Sequence, residues 1–169
     1  MYTISDIEMD DQEGVDALFL FATEGILVTN DKGEIIKANP SLNRLFGYEK
    51  GELVGKKVEI LVPKHLTDRH VSHREKFNHN PTARSMGRGM ELFGLKKDGI
   101  EFPLEISLSP YFTSKGKYFI AFIIDITARK QVEEKLKHYS AELEKQVKNR
   151  TLILEEAIGE LEKTKADLK

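Results

Sequence analysis

From Val15 to Ile124 the apolar residues come in short runs separated by turn-forming clusters. After Ala128 they come singly, three or four apart, in a charged background. The first pattern predicts a packed domain. Asp10–Ala22 carries Val15, Leu18, Phe19 and Ala22 at helical spacing and predicts a short helix. Gly25–Thr29 and Glu34–Ala38 predict two strands, and the turn residues Asn30–Gly33 between them predict a hairpin. Asn39-Pro40-Ser41 opens a short helix that Gly47 closes after Phe46. Val58–Val62 leads into Pro63, which opens a helix running to about Phe77, and Asn78–Pro81 is a loop. Three further strands follow, Arg84–Lys96, Ile100–Leu108 and Lys117–Ile124, with turns at Lys97-Asp98-Gly99 and Thr113–Gly116. Two strands, a helical crossover and three strands predict an α+β fold: one antiparallel five-stranded sheet with helices on one face.

The second pattern predicts one long helix. In the 42 residues from Ala128 to Lys169, 19 are charged, and there is no Pro or Phe. Val132, Leu136, Tyr139, Leu143, Val147, Leu154, Ile158, Leu161 and Leu168 are spaced mostly by three and four, the seam of a coiled coil. A helix this polar is marginal alone and needs a partner. The heptad phase slips between residues 143 and 154, where Lys145, Lys148, Asn149 and Arg150 crowd the gap. The chain therefore divides into a flank (1–11), a domain (12–127) and a coiled-coil helix (128–169).

Composition narrows the chemistry. The net charge is −2, which gives no basic excess for nucleic acid or an anionic membrane. There is no cysteine, which excludes disulfide scaffolds, cysteine zinc sites, iron–sulfur clusters and thiol catalysis. No run approaches the ~18 apolar residues of a membrane span, and Met1–Gln12 is acidic and polar rather than a signal peptide. These features predict a cytoplasmic chain. G-x-S-x-G, H-E-x-x-H and phosphate-loop motifs are missing, and His138 lacks the surroundings of a kinase phosphoacceptor, so no enzymatic activity is expected.

The order of elements and the residues at their joints resemble the PAS family of sensory domains. Asn39-Pro40 with Leu45-Phe46-Gly47-Tyr48 is similar to the family's N-P-x-x-x-x-L-F-G-Y segment. Gly51–Gly55 is similar to the turn that follows it. Lys97-Asp98-Gly99 with Phe102-Pro103 is similar to the K-D-G-x-x-F-P hairpin. Asp125-Ile126-Thr127 with Arg129-Lys130 is similar to the exit into a signalling helix. The resemblance implies a sensor of a small ligand, or of a gas or redox state. It relays through Asp125, Ile126 and Thr127 and a parallel homodimeric coiled coil to a downstream output domain such as a histidine kinase.

The resemblance extends to the oxygen-sensing haem kinases of the family. In them a histidine after an arginine binds the iron, which here implies His70 as the iron ligand of a haem b, Arg88 as the residue beside bound oxygen and Lys76 at a propionate. His73 stands where those kinases have a tyrosine, and Arg84 replaces an apolar residue, so a pocket without haem stays open. Its lining by the strand pattern is Met86, Met90, Leu92, Leu104, Ile106, Ile120 and Phe122, residues that equally suit a plain core. Two other readings remain open: a metal cluster of His65, Asp68, His70 and His73, and a ligandless dimerisation or scaffold module.

Overall fold

The computed structural model describes residues 12–79, 82, 84–86 and 91–167. Two compact units emerge, Met1–Thr127 and Ala128–Lys169. The first unit contains α1 (Gln12–Phe21), β1 (Gly25–Asn30), β2 (Ile35–Ala38) and α2 (Pro40–Phe46). Two 3₁₀ turns, Val58–Leu61 and Lys64–Leu66, lead into α3 (Thr67–His79). Then come β3 (Arg84–Met86), β4 (Leu92–Leu95), β5 (Glu101–Thr113) and β6 (Gly116–Asp125), and α4 runs over Thr127–Asp167.

The sheet is antiparallel, in the order β2-β1-β6-β5-β3, with β4 also paired to β5. It thus has five strand positions, the last shared by two segments. Met86 pairs with Ile106 and Leu92 with Leu104. Met86 and Leu92 are six positions apart in the chain, but their partners are only two apart. In place of the one strand expected over Arg84–Lys96 there are two, β3 and β4, each paired to β5. β5 runs five residues beyond its expected end. Pro110 sits past Leu108, the last residue that β3 pairs, where a missing N–H removes no bond to β3.

Local chemistry places the first turns. The Asn30 side chain accepts from the backbone N–H of Lys32 (3.0 Å) and Glu34 (2.9 Å), and Gly33 takes a positive φ of 75°. Asn39 caps α2 by accepting from the Leu42 N–H (2.8 Å), Pro40 begins the helix and Gly47 ends it in the left-handed region.

The core lies between the sheet and the helical crossover. Leu27, Ile35, Leu42, Phe46, Leu53 and Phe102 are among its most buried residues. Phe46 and Phe102 meet edge to face at 5.2 Å. Gly94 on β4 lets these rings close: a Cβ there would lie 2.6 Å from Leu104 and 2.9 Å from Phe46. Gly94→Ala is expected to destabilise the fold by about 1–3 kcal/mol through overpacking, read as a lower urea midpoint with an unchanged slope. α1 packs against α2, and Ser41 Oγ donates to the Ala22 carbonyl at 2.6 Å. Yet Val15 and Leu18 of α1 are 49% and 71% exposed, so the apolar face expected of that helix is only partly used.

Candidate functional site

α3 has the sequence TDRHVSHREKFNH. Leu66, His70, Arg74 and Phe77 fall three and four apart and form the side turned to the domain, while His73 and Lys76 are exposed. Phe77 is buried and its ring meets Phe119 of β6 at 5.6 Å. One turn earlier the apolar contact gives way to a charged one. Glu59, in the first 3₁₀ turn, has a side chain only 11% exposed. Its Oε1 accepts from Arg74 Nε at 3.0 Å and from His70 Nδ1 at 3.1 Å. A carboxylate only accepts, so His70 carries its proton on Nδ1 and leaves Nε2 with a lone pair. Arg74 also lies against Gly33 of the first hairpin, where a Cβ would come within 2.8 Å of Nε. The crossover, α3 and the β1–β2 turn thus meet at one ion pair.

Burial pushes the Glu59 carboxyl up, but the Arg74 hydrogen bond and charge, a backbone N–H and His70 reverse this and hold it below its ordinary value. His70 is lowered, first by burial, against the opposing pull of Glu59; Arg74 and His73 lower it further. Both shifts favour the fold at neutral pH. The unfolded chain binds more protons than the folded one below the ordinary His value of 6.5, and again below the ordinary Glu value of 4.5. Unfolding free energy is expected to fall on acidification in those two windows. His70→Gln should flatten the upper one, as followed by denaturant titration between pH 7.5 and 4. An unchanged pH profile would show that His70 does not carry it.

The other sequence-derived positions separate. Leu104 is buried, and Ile106 packs against the core. Leu92 is half-buried opposite Leu104. Met86 pairs with Ile106 across the β3–β5 ladder. Arg88 and Met90 lie outside the described residues. Ile120 and Phe122 stand on the face of β6 opposite Phe119, Ala121 and Ile123, and Phe122 is 43% exposed. Expected to line the pocket, they face away from the core, because β6 is apolar at nearly every position and alternation gave no phase. His65 pairs with Glu101 at 3.6 Å and, like Asp68 and His73, is exposed. Among the described residues no three His, Asp or Glu side chains converge to hold a metal ion. Glu59 and Arg74 escaped the sequence reading; a Glu before an apolar run carries no signal of its later partners.

The exit from the sheet is built from short contacts. The Ile126 N–H donates to the Pro103 carbonyl at 3.1 Å, and Ile126 is buried. Asp125 Oδ1 accepts from the Thr127 N–H at 2.8 Å, where α4 begins. Beside it, Thr23, Glu24, Ser41, Arg44 and Asp125 edge an open cleft of about 500 Å³.

A family profile described as PAS domain matches residues 23–128. The chain belongs to the PAS domain family. Sensor protein FixL of Bradyrhizobium diazoefficiens is 28% identical over 120 residues, 71% of this chain and 24% of that protein. Oxygen sensor protein DosP of Escherichia coli is 26% identical over 129 residues, 74% of this chain and 16% of that protein. Cell-division control histidine kinase PdhS of Brucella ovis is 28% identical over 133 residues, 79% and 13% respectively. The chain spans a quarter or less of the length of these relatives. Among solved structures, the PAS domain of a Colwellia psychrerythraea protein superposes with a TM-score of 0.61 at 24% identity, covering 70% of this chain and 99% of that one. An RNA-binding light-oxygen-voltage receptor gives 0.65 at 22% identity, covering 83% and 40%. These likenesses establish the PAS fold. Kinship with kinases and an oxygen sensor gives the domain a sensory signalling role, and PAS domains are typically non-catalytic. No helix among the described residues is long and apolar enough to cross a membrane.

Proposed function

We propose that this chain is the sensor segment of a larger signalling protein. It binds a small ligand between α3 and the sheet and passes the change through a parallel, homodimeric α4 to an output domain, a histidine kinase by analogy with the relatives. The observation carrying this reading is the exit. β6 is hydrogen-bonded to β1 on one edge and β5 on the other, and one residue separates its end from α4. A shift of β6 therefore has no loop in which to dissipate before the helix. The test is native mass spectrometry and sedimentation of the purified chain, with hydrogen exchange at Ile126. The expected result is a dimer carrying a small molecule, whose removal changes protection of the Ile126 amide more than that of Leu27. A ligand-free dimer with unchanged exchange would make it a scaffold module; a monomer would remove the relay.

One observation supports a second, sharper reading, with haem as the ligand. His70 is held neutral, and its Nδ1 is fixed by a carboxylate. This arrangement orients an imidazole and raises its basicity as a metal ligand, so His70 is the residue of α3 that would hold a haem iron. Haem iron would supply reversible binding of a diatomic gas. Glu59 would set the His70 tautomer, and Arg74 would keep Glu59 ionised. If the purified protein shows a haem absorption band, His70→Ala should abolish it and His73→Ala should leave it nearly intact. A ligated-haem spectrum in His70→Ala would exclude His70 as the ligand.

A further inference from the structure

The irregular seam of α4 becomes regular at a longer period. Val132, Leu143 and Leu154 lie eleven residues apart. So do Leu136, Val147 and Ile158, and so do Tyr139, Arg150 and Leu161. Glu133, Glu144 and Glu155 repeat at the same interval beside the stripe. The interval decides the geometry. At 3.5 residues per turn, eleven residues overshoot whole turns by about 50°, so a heptad seam would carry Val147, Leu154 and Leu161 progressively off the contact. On a straight helix the overshoot is about 20°, and at about 3.67 per turn it vanishes. The helix is continuous through the stretch where the heptad slips.

Resting on the dimeric reading above, we propose that two copies of this chain pair along α4 through an eleven-residue seam, parallel and in register, with a right-handed supercoil. The stripe is open to a partner: Val132, Leu143, Leu154 and Leu161 are each 60% exposed or more. From Val132 to Leu161 it extends about 44 Å. Its eight large apolar side chains each remove about 60–120 Å² from water when covered. Together they supply on the order of 500–950 Å², near the ~800 Å² per partner of a stable interface. A heptad-repeat helix of other sequence would coil with the opposite hand and part from this stripe. A second copy of this chain matches its pitch at every level. Arg150 is the one charged residue in the stripe, long enough to keep its guanidinium in water.

Because the chain lacks cysteine, single cysteines report the seam without interference. Disulfide formation is measured in the full chain for Val147→Cys, Leu154→Cys and Leu161→Cys. The comparison set is Gln146→Cys, Ile153→Cys and Glu160→Cys, the positions that a heptad continued from Leu143 places inside. The first set is expected to cross-link at least about fivefold faster. Spin labels on Lys130→Cys, Ala141→Cys, Leu152→Cys and Lys163→Cys, on the opposite face, provide a second reading that leaves the seam unaltered. Their inter-chain distances should be nearly equal. Faster linking of the second set, with label distances that drift along the helix, overturns the eleven-residue seam and keeps the dimer. Linking confined to residues 146 and 147 means antiparallel pairing and overturns the parallel seam and the relay while keeping a dimer. A monomer with no linking at any position overturns the seam and the dimer.

Discussion

Asn39→Ala is expected to remove about 3–5 kcal/mol of stability and to lower the melting temperature by roughly 10–20 °C. Asn39 is fully buried and ties three segments together. Its Oδ1 accepts from the N–H of Leu42 and of Ile26, both at 2.8 Å, and its Nδ2 donates to the Glu24 carbonyl at 3.0 Å. Alanine leaves two N–H groups and a carbonyl without these partners, at about 1–3 kcal/mol for each one left dry. The cap lost from α2 is part of the same sum, worth about 1 kcal/mol. Neighbouring Asn43 has its Oδ1 buried without a partner, so Asn43→Leu should cost far less. Equal losses for the two variants, measured by thermal and urea unfolding, would show that burial at these positions matters more than the bonds.

Leu143→Glu with Leu154→Glu is expected to turn a dimer into a monomer. Two apolar side chains are lost from each copy, each worth about 1.5–3 kcal/mol when buried, and four carboxylates enter the seam. The dissociation constant should rise at least ~10³-fold. Sedimentation velocity at micromolar concentration reads the state, and far-UV dichroism should show helix loss as the unpartnered tail frays. A double variant that stays dimeric at the same affinity would mean that these copies do not pair through α4.

Much of the domain was legible in its joints. Asn39-Pro40, Gly47 and Lys97-Asp98-Gly99 mark boundaries because each acts on backbone within a few residues. Gly99, for instance, takes a φ of 89° while Asp98 accepts from the Ile100 N–H at 3.0 Å. The order of elements follows from such joints, and so does the start of the long helix after Asp125. His70 was legible as a residue of interest, but its surroundings were not. Glu59 lies eleven residues before it, and Gly33 lies far back on the first hairpin; nothing local links them to α3.

By itself, then, the sequence determined the local turns, the succession of helices and strands, and the helical course of α4, since each depends on neighbours along the chain. The tertiary structure decided which face of β6 meets the core. From Tyr118 to Ile124 every residue is apolar, so the phase is set only by pairing with β1 and β5, and one residue of register exchanges the two faces. It also decided that both Arg84–Met86 and Leu92–Leu95 pair with β5, since a register depends on the strand it meets. The meeting of Glu59, His70 and Arg74 has the same origin. An ion pair between distant segments forms only once packing has already brought them together and removed the water between them.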